Sequence, residues 1–107
     1  MNVIGWDDHE KGVEVKPSKF LRNASICYNG LLARSGADQV YLHCGYGDKN
    51  AWRTSTTLKM DRTDRGWEST VDMRDSILNF CFKDNAGNWD NNNGNNWLCQ
   101  SEFDKQL

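Results

Sequence analysis

Residues 39–44 read QVYLHC, six positions in which polar and apolar side chains alternate without a break. Successive side chains of a strand point to opposite faces, so Val40, Leu42 and Cys44 share one side and Gln39, Tyr41 and His43 the other. The first set is a core face and the second points outward. The glycines of GYGDKN, residues 45–50, follow at once and end the strand.

The same signature recurs on both sides of this segment. Gly12–Lys16 (GVEVK) alternates, as does Ala24–Asn29 (ASICYN) ahead of the turn-rich GLLARSGAD. Thr57–Arg62 reads as a polar-edged strand joined to Trp67–Met73 (WESTVDM) across the TDRG turn. Ile77–Lys83 (ILNFCFK) is the most apolar strand, and Trp97–Ser101 a weak last one. Helical spacing is absent from every window longer than ten residues. Short strands at this spacing, with turn signals between them, predict an all-β, immunoglobulin-like antiparallel sandwich of about seven to nine strands. A chain of 107 residues is read as one domain, residues 1–107. Its apolar fraction of 37% makes the core lean.

Charge narrows the partners. Thirteen Lys and Arg against fifteen Asp and Glu give a net charge of −2, with the signs interleaved. Phosphate backbones are held by clustered cations, so nucleic acid is excluded and a neutral partner favoured. No apolar run reaches bilayer length, and MNVIGWDDHEKG lacks a basic stretch followed by an apolar one. Cys27, Cys44, Cys81 and Cys99 lack paired C-x-x-C spacing, and three disulfide connectivities are open to them. They are read as small thiols, mostly buried, in a reducing compartment.

Catalysis finds little support. Asp61, Asp64, Asp84 and Asp90 read as turn or solvated acids, not as a carboxylate pair across a cleft. No serine stands in a nucleophile elbow, and His43 is the one histidine in regular structure. DNNNG, residues 90–94, looks like part of a calcium loop. Placing Gly94 at the sixth position puts Trp89 first and Gln100 twelfth, and the register fails. No metal and no cofactor are expected.

What remains is a stacking surface. GNWDNNNGNNWLC, residues 87–99, holds six asparagines and two tryptophans, and nothing near Trp89 in sequence can cover its ring. Asn and Asp tolerate left-handed dihedrals, so this segment is expected to be a folded turn. Trp67 and Trp97 open strands and are read as structural, and Trp6 lies outside the strand pattern. His43 points outward just before the loop that carries Trp52. Exposed indoles beside amides suit a sugar, whose axial C–H face packs on the ring while its hydroxyls take fixed donors and acceptors. Two rings set at an angle would follow a curved α-glucan, and coplanar rings a flat β-glucan.

These residues also carry a family resemblance. CYNGLLARSGADQVYLHCGYG, the following Trp52, and LNFCFKDNAGNWDNNNGNNW resemble the starch-binding carbohydrate-binding modules of family 25, relatives of the starch-binding domains of plant starch synthases. The likeness covers residues 12–100 and is most specific in the VYLH strand and in F-x-F-x-D-x-x-G-N-W-D-N-N. It implies a non-catalytic sandwich that binds α-1,4-linked glucans such as starch, glycogen and maltooligosaccharides. It implies a platform of His43, Trp52 and Trp89. Alternation and loop proximity add Tyr41 and Asn92 as polar contacts. Such modules accompany a glucan-active enzyme. A complete chain of this kind would be a cytoplasmic glucan-binding protein, and a module of an amylase or starch synthase would be secreted or plastidial. The competing reading is a protein-interaction sandwich whose exposed tryptophans are hot spots for a partner chain.

Overall fold

The computed structural model describes residues 2–18 and 22–102, so the ends of the expected 1–107 domain lie outside the described residues. In chain order the strands are β1 (Asn2–Val3), β2 (Trp6–Asp8), β3 (Val13–Pro17) and β4 (Asn23–Tyr28). A short helix, α1 (Leu31–Arg34), leads to β5 (Val40–Tyr46). There follow β6 (Arg53–Lys59), β7 (Asp61–Thr63), β8 (Gly66–Asp72), β9 (Ile77–Asp84), β10 (Trp89–Asp90) and β11 (Trp97–Glu102). One sheet runs β1-β11-β9-β5-β6, with β10 also on β9, and the other runs β2-β3-β4-β8-β7. All described pairings are antiparallel. This is the all-β sandwich that the alternation predicts, with eleven short strands among the described residues where about seven to nine are expected.

The inner faces follow from parity. Val40, Leu42 and Cys44 of β5 are buried, as are Val13 and Val15 of β3 and Ala24, Ile26 and Tyr28 of β4. Phe82 sits at the centre of the core rings. It stacks on Tyr28 at 3.9 Å, meets Phe80 edge-on at 5.7 Å and Trp97 at 5.5 Å. Trp67 and Trp97 are buried, and each fully buried aromatic or aliphatic side chain contributes about 1.5–3 kcal/mol. Trp6 proves to be a bridge between sheets. It belongs to β2, stacks near Phe80 at 6.3 Å, and donates its indole N–H to the Leu98 carbonyl at 3.1 Å.

One strand differs from its sequence reading. Thr57–Arg62 is not a single strand paired with Trp67–Met73. Thr57 and Lys59 pair with His43 and Tyr41 of β5 in one sheet, whereas Asp61–Thr63 pair with β8 in the other. The change of sheet occurs at Met60, which is 1% exposed and donates its backbone N–H to Val40. A buried methionine at the crossing anchors the chain between exposed Lys59 and Asp61. GLLARSGAD, expected as turns, contains α1, in which Leu32 supplies the buried residue.

Candidate functional site

The outer face of the first sheet carries the site. In β5, Tyr41 and His43 point away from the core, and Gly45 continues their row. Register across the sheet sets Lys59, Tyr41, Lys83 and Trp89 side by side, and Thr57, His43 and Cys81 in the next row. Trp89 therefore does not sit in a free loop: it belongs to β10 and lies opposite Lys83. Asp90 pairs with Phe82 and Trp97 with Phe80, so residues 91–96 form an excursion over a single residue of β9. Asn92, Asn93 and Asn96 take φ near 56° and Gly94 takes 89°, which is why this turn is written in asparagine and glycine.

Two carboxylates hold Trp89 from either side along the chain. Asp84 accepts the backbone N–H groups of Ala86 and Asn88 at 2.9 and 2.8 Å and the Asn88 amide at 2.9 Å. Asp90 faces inward and accepts the Tyr28 hydroxyl at 2.5 Å, and that hydroxyl accepts the Leu32 N–H at 3.0 Å. The indole is left 48% exposed.

Trp52 is fixed by its own loop. Its indole N–H donates to the Lys49 carbonyl at 2.9 Å, while Ala51 N–H bonds the Asp48 carbonyl at 3.0 Å. The ring lies against Gly45, where a Cβ would come within 2.8 Å of Trp52 Cβ, so only glycine admits the indole. Buried Asn79 holds the glycine loop through Gly47 O at 3.0 Å.

His43 stands between the two indoles. Its ring is 5.7 Å from Trp52 at 30° and 5.6 Å from Trp89 at 85°. The two indole planes therefore meet at no less than about 55°, the difference between those angles. His43 Nδ1 is engaged by the Thr57 hydroxyl at 2.9 Å.

His43, Trp52 and Trp89 thus come together from three separate segments. Tyr41 shares the row of Trp89, with Lys83 between them. Asn92 does not join them. Its side chain donates to the Asn96 carbonyl at 3.0 Å and meets the Lys11 ammonium, so it serves the turn.

Sequence reasoning passed over Lys83 and Cys81 because ILNFCFK reads as core. Lys83 Nζ stands 5.2 Å from the Trp89 ring and 6.0 Å from Tyr41, bracing both by cation–π attraction. Cys81 lies buried in the row of His43, its thiol pushed up to about 11 by desolvation and then by Asp90 and Cys44. Strand parity, applied to β9 as it was to β5, finds both. All four cysteines are free, and burial also raises Cys44 and Cys99 to about 11.

The acids are otherwise engaged or exposed. Asp64 lies in the TDRG turn as expected, but Asp61, Asp84 and Asp90 are strand residues. Asp84 is held below the usual carboxylate range, first by the Asn88 amide and then by the Asn88 and Ala86 N–H groups. A depressed native pKa stabilises the fold fully above the ordinary carboxyl value, about 4, and that stabilisation is lost as pH falls through the native value. Acid unfolding followed by circular dichroism should therefore have a shallower acid limb in Asp84→Asn. It should not vanish, because Asp75 is also held low, by the Ser76 N–H and then Arg53. An identical acid limb in the variant would remove Asp84 from this role.

An exposed indole and a half-buried one around a histidine, on a sheet face of a β-sandwich, have the chemistry of a carbohydrate-binding module. Comparison with known proteins gives the family. A model described as a starch/carbohydrate-binding module of family 53 matches residues 24–80, and the chain belongs to that family of starch-binding modules. The resemblance in the residues suggested family 25, so the class agrees and the family number differs. The matched range includes His43 and Trp52 and stops short of Trp89. An alpha-amylase of Clostridium acetobutylicum is 34% identical over 96 residues, covering 86% of this chain. The chain spans 12% of the length of that protein. No solved structure matches the chain.

Proposed function

We propose that this module binds α-1,4-linked glucans, as starch, glycogen or maltooligosaccharides, through Trp52 and Trp89, with His43 between them. Each indole takes the C–H face of one glucosyl unit. With Nδ1 held by Thr57, the His43 Nε2 is left to a sugar hydroxyl. Lys83 and Tyr41 border the platform, and Asn92 shapes the turn beside it. The observation that carries this reading is the angle between the indoles. Rings inclined by at least about 55° suit a chain that curves from one glucosyl unit to the next, and would leave a flat β-glucan in contact with one ring only.

The whole chain, 1–107, is read as one module without catalysis of its own. Asp84 and Asp90 are committed to holding Trp89, and the platform is open. The G-N-W-D-N-N segment, beyond the residues matched by the family 53 model, is read as kinship with family 25. The amylase relative supports a glucan-active enzyme as the associated activity, with the location of the module set by that enzyme. A shallow platform of two indoles binds weakly, with a dissociation constant of roughly micromolar to millimolar.

Affinity electrophoresis tests the reading. Starch and glycogen in the gel are expected to retard the protein, and a β-glucan to leave its mobility unchanged. Equal mobility with and without starch would overturn the proposal.

A further inference from the structure

Across β10 from the platform, the asparagine turn forms one wall of a cleft of about 300 Å³. The other walls are α1, which packs beside β10, and the turn between β2 and β3. The walls are tied together. Arg34 donates to the carbonyls of Glu10 at 3.1 Å and His9 at 3.5 Å, while Lys11 meets Asn92.

Leu31 lines this cleft and is 60% exposed, although Leu32 beside it is buried. Nothing in the folding of α1 requires a leucine there. Asn93 also lines the cleft with an exposed amide, at φ 56°. An apolar side chain is thus set among an amide, a guanidinium and a carboxylate. Both charge signs are represented, by Lys11 and Arg34 against Glu10 and Asp90. That mixture suits a neutral polyhydroxyl compound, whose C–H groups meet the leucine and whose hydroxyls meet the polar rim.

We propose that this cleft is an outer glucosyl subsite, occupied by the same α-glucan chain that lies on the platform. The proposal rests on the platform reading given above. Continuity carries it: the Trp89 side chain faces one side of a two-residue strand and Asp90 the other, with Asn92 and Asn93 close behind. Because α1 packs beside β10, a curved chain that leaves the Trp89 ring across this strand would enter the cleft on the α1 side.

The test is isothermal titration of the full chain with maltotriose and maltoheptaose, for the unmodified protein, Leu31→Asp and Asn93→Ala. Both substitutions lie at exposed positions, and thermal midpoints check that the variants fold. The unmodified protein should bind one maltoheptaose, about tenfold or more tightly than maltotriose. In Leu31→Asp that ratio should fall to about threefold or less, with a smaller fall in Asn93→Ala. An unchanged ratio in both variants, or two molecules of maltoheptaose per chain, would overturn the subsite. Failure of the platform looks different: neither oligosaccharide would bind the unmodified protein.

Discussion

Trp89→Ala is expected to abolish retardation by starch while leaving the thermal midpoint almost unchanged. The ring is 48% exposed, and it meets His43 at a right angle and the Lys83 ammonium. None of these contacts belongs to the core. The strand that carries Trp89 is held by other groups: Asp84 before it, and the Tyr28–Asp90 hydrogen bond after it. Truncation at such a position changes stability by about 0.5 kcal/mol or less. Binding responds differently, because an aromatic anchor in a small site is a hot spot worth about 2 kcal/mol or more. That is a loss of roughly thirtyfold, enough to carry a weak complex beyond detection in a gel. Trp52→Ala should lose binding to a similar degree. Its cost in stability is larger, because it strips the Lys49 hydrogen bond and uncovers Gly45. Gel mobility and circular dichroism melting on the same samples decide the matter. A Trp89→Ala protein that unfolds, or that starch still retards, would end the platform assignment. A stable dimer that maltooligosaccharides do not perturb would point instead to a protein partner.

The parts legible in the sequence were those governed by strand parity. QVYLHC predicted which of its side chains are buried, and the structure buries Val40, Leu42 and Cys44 while turning Tyr41 and His43 out. Trp67 and Trp97 read as structural from their place at strand starts, and both are buried. Parity says nothing about which sheet a strand joins. That is why alternation does not reveal the switch at Met60, and why β1 and β2, two and three residues long, leave no pattern. Trp6 lies outside the strand pattern for the same reason, since its partner Leu98 is 92 residues away.

The candidate site divides along similar lines. His43 follows from alternation, Trp89 from a ring with no cover nearby in sequence, and Trp52 from its place in the loop after His43 together with the family resemblance. The asparagine turn was expected to fold, and its positive φ angles show why asparagine recurs there. Asn92 could not be separated from a ligand contact in the sequence, because a turn-forming amide and a sugar-binding amide look alike. Lys83 was hidden by its apolar neighbours, although its parity matches that of His43 across the ladder.

The deepest effect on the fold is expected from Phe82→Ala. Phe82 is wholly buried and touches the rings of Tyr28, Phe80 and Trp97, so the cavity has rigid aromatic walls with little room to collapse. Such truncations cost about 3–5 kcal/mol, against a total stability of about 5–15 kcal/mol for a domain. For a chain of this size the thermal midpoint should fall by roughly 15 °C or more. Binding is affected as well, by a specific route. Tyr28 loses its stacking partner at 3.9 Å, and its hydroxyl holds Asp90 at the foot of Trp89. Phe82→Leu keeps most of the volume and should retain both the fold and starch retardation. Chemical denaturation and affinity gels on the two variants separate the effects. If Phe82→Ala melted with the unmodified protein, the core would not be organised around this ring, and the link from Phe82 through Tyr28 and Asp90 to Trp89 would fail with it.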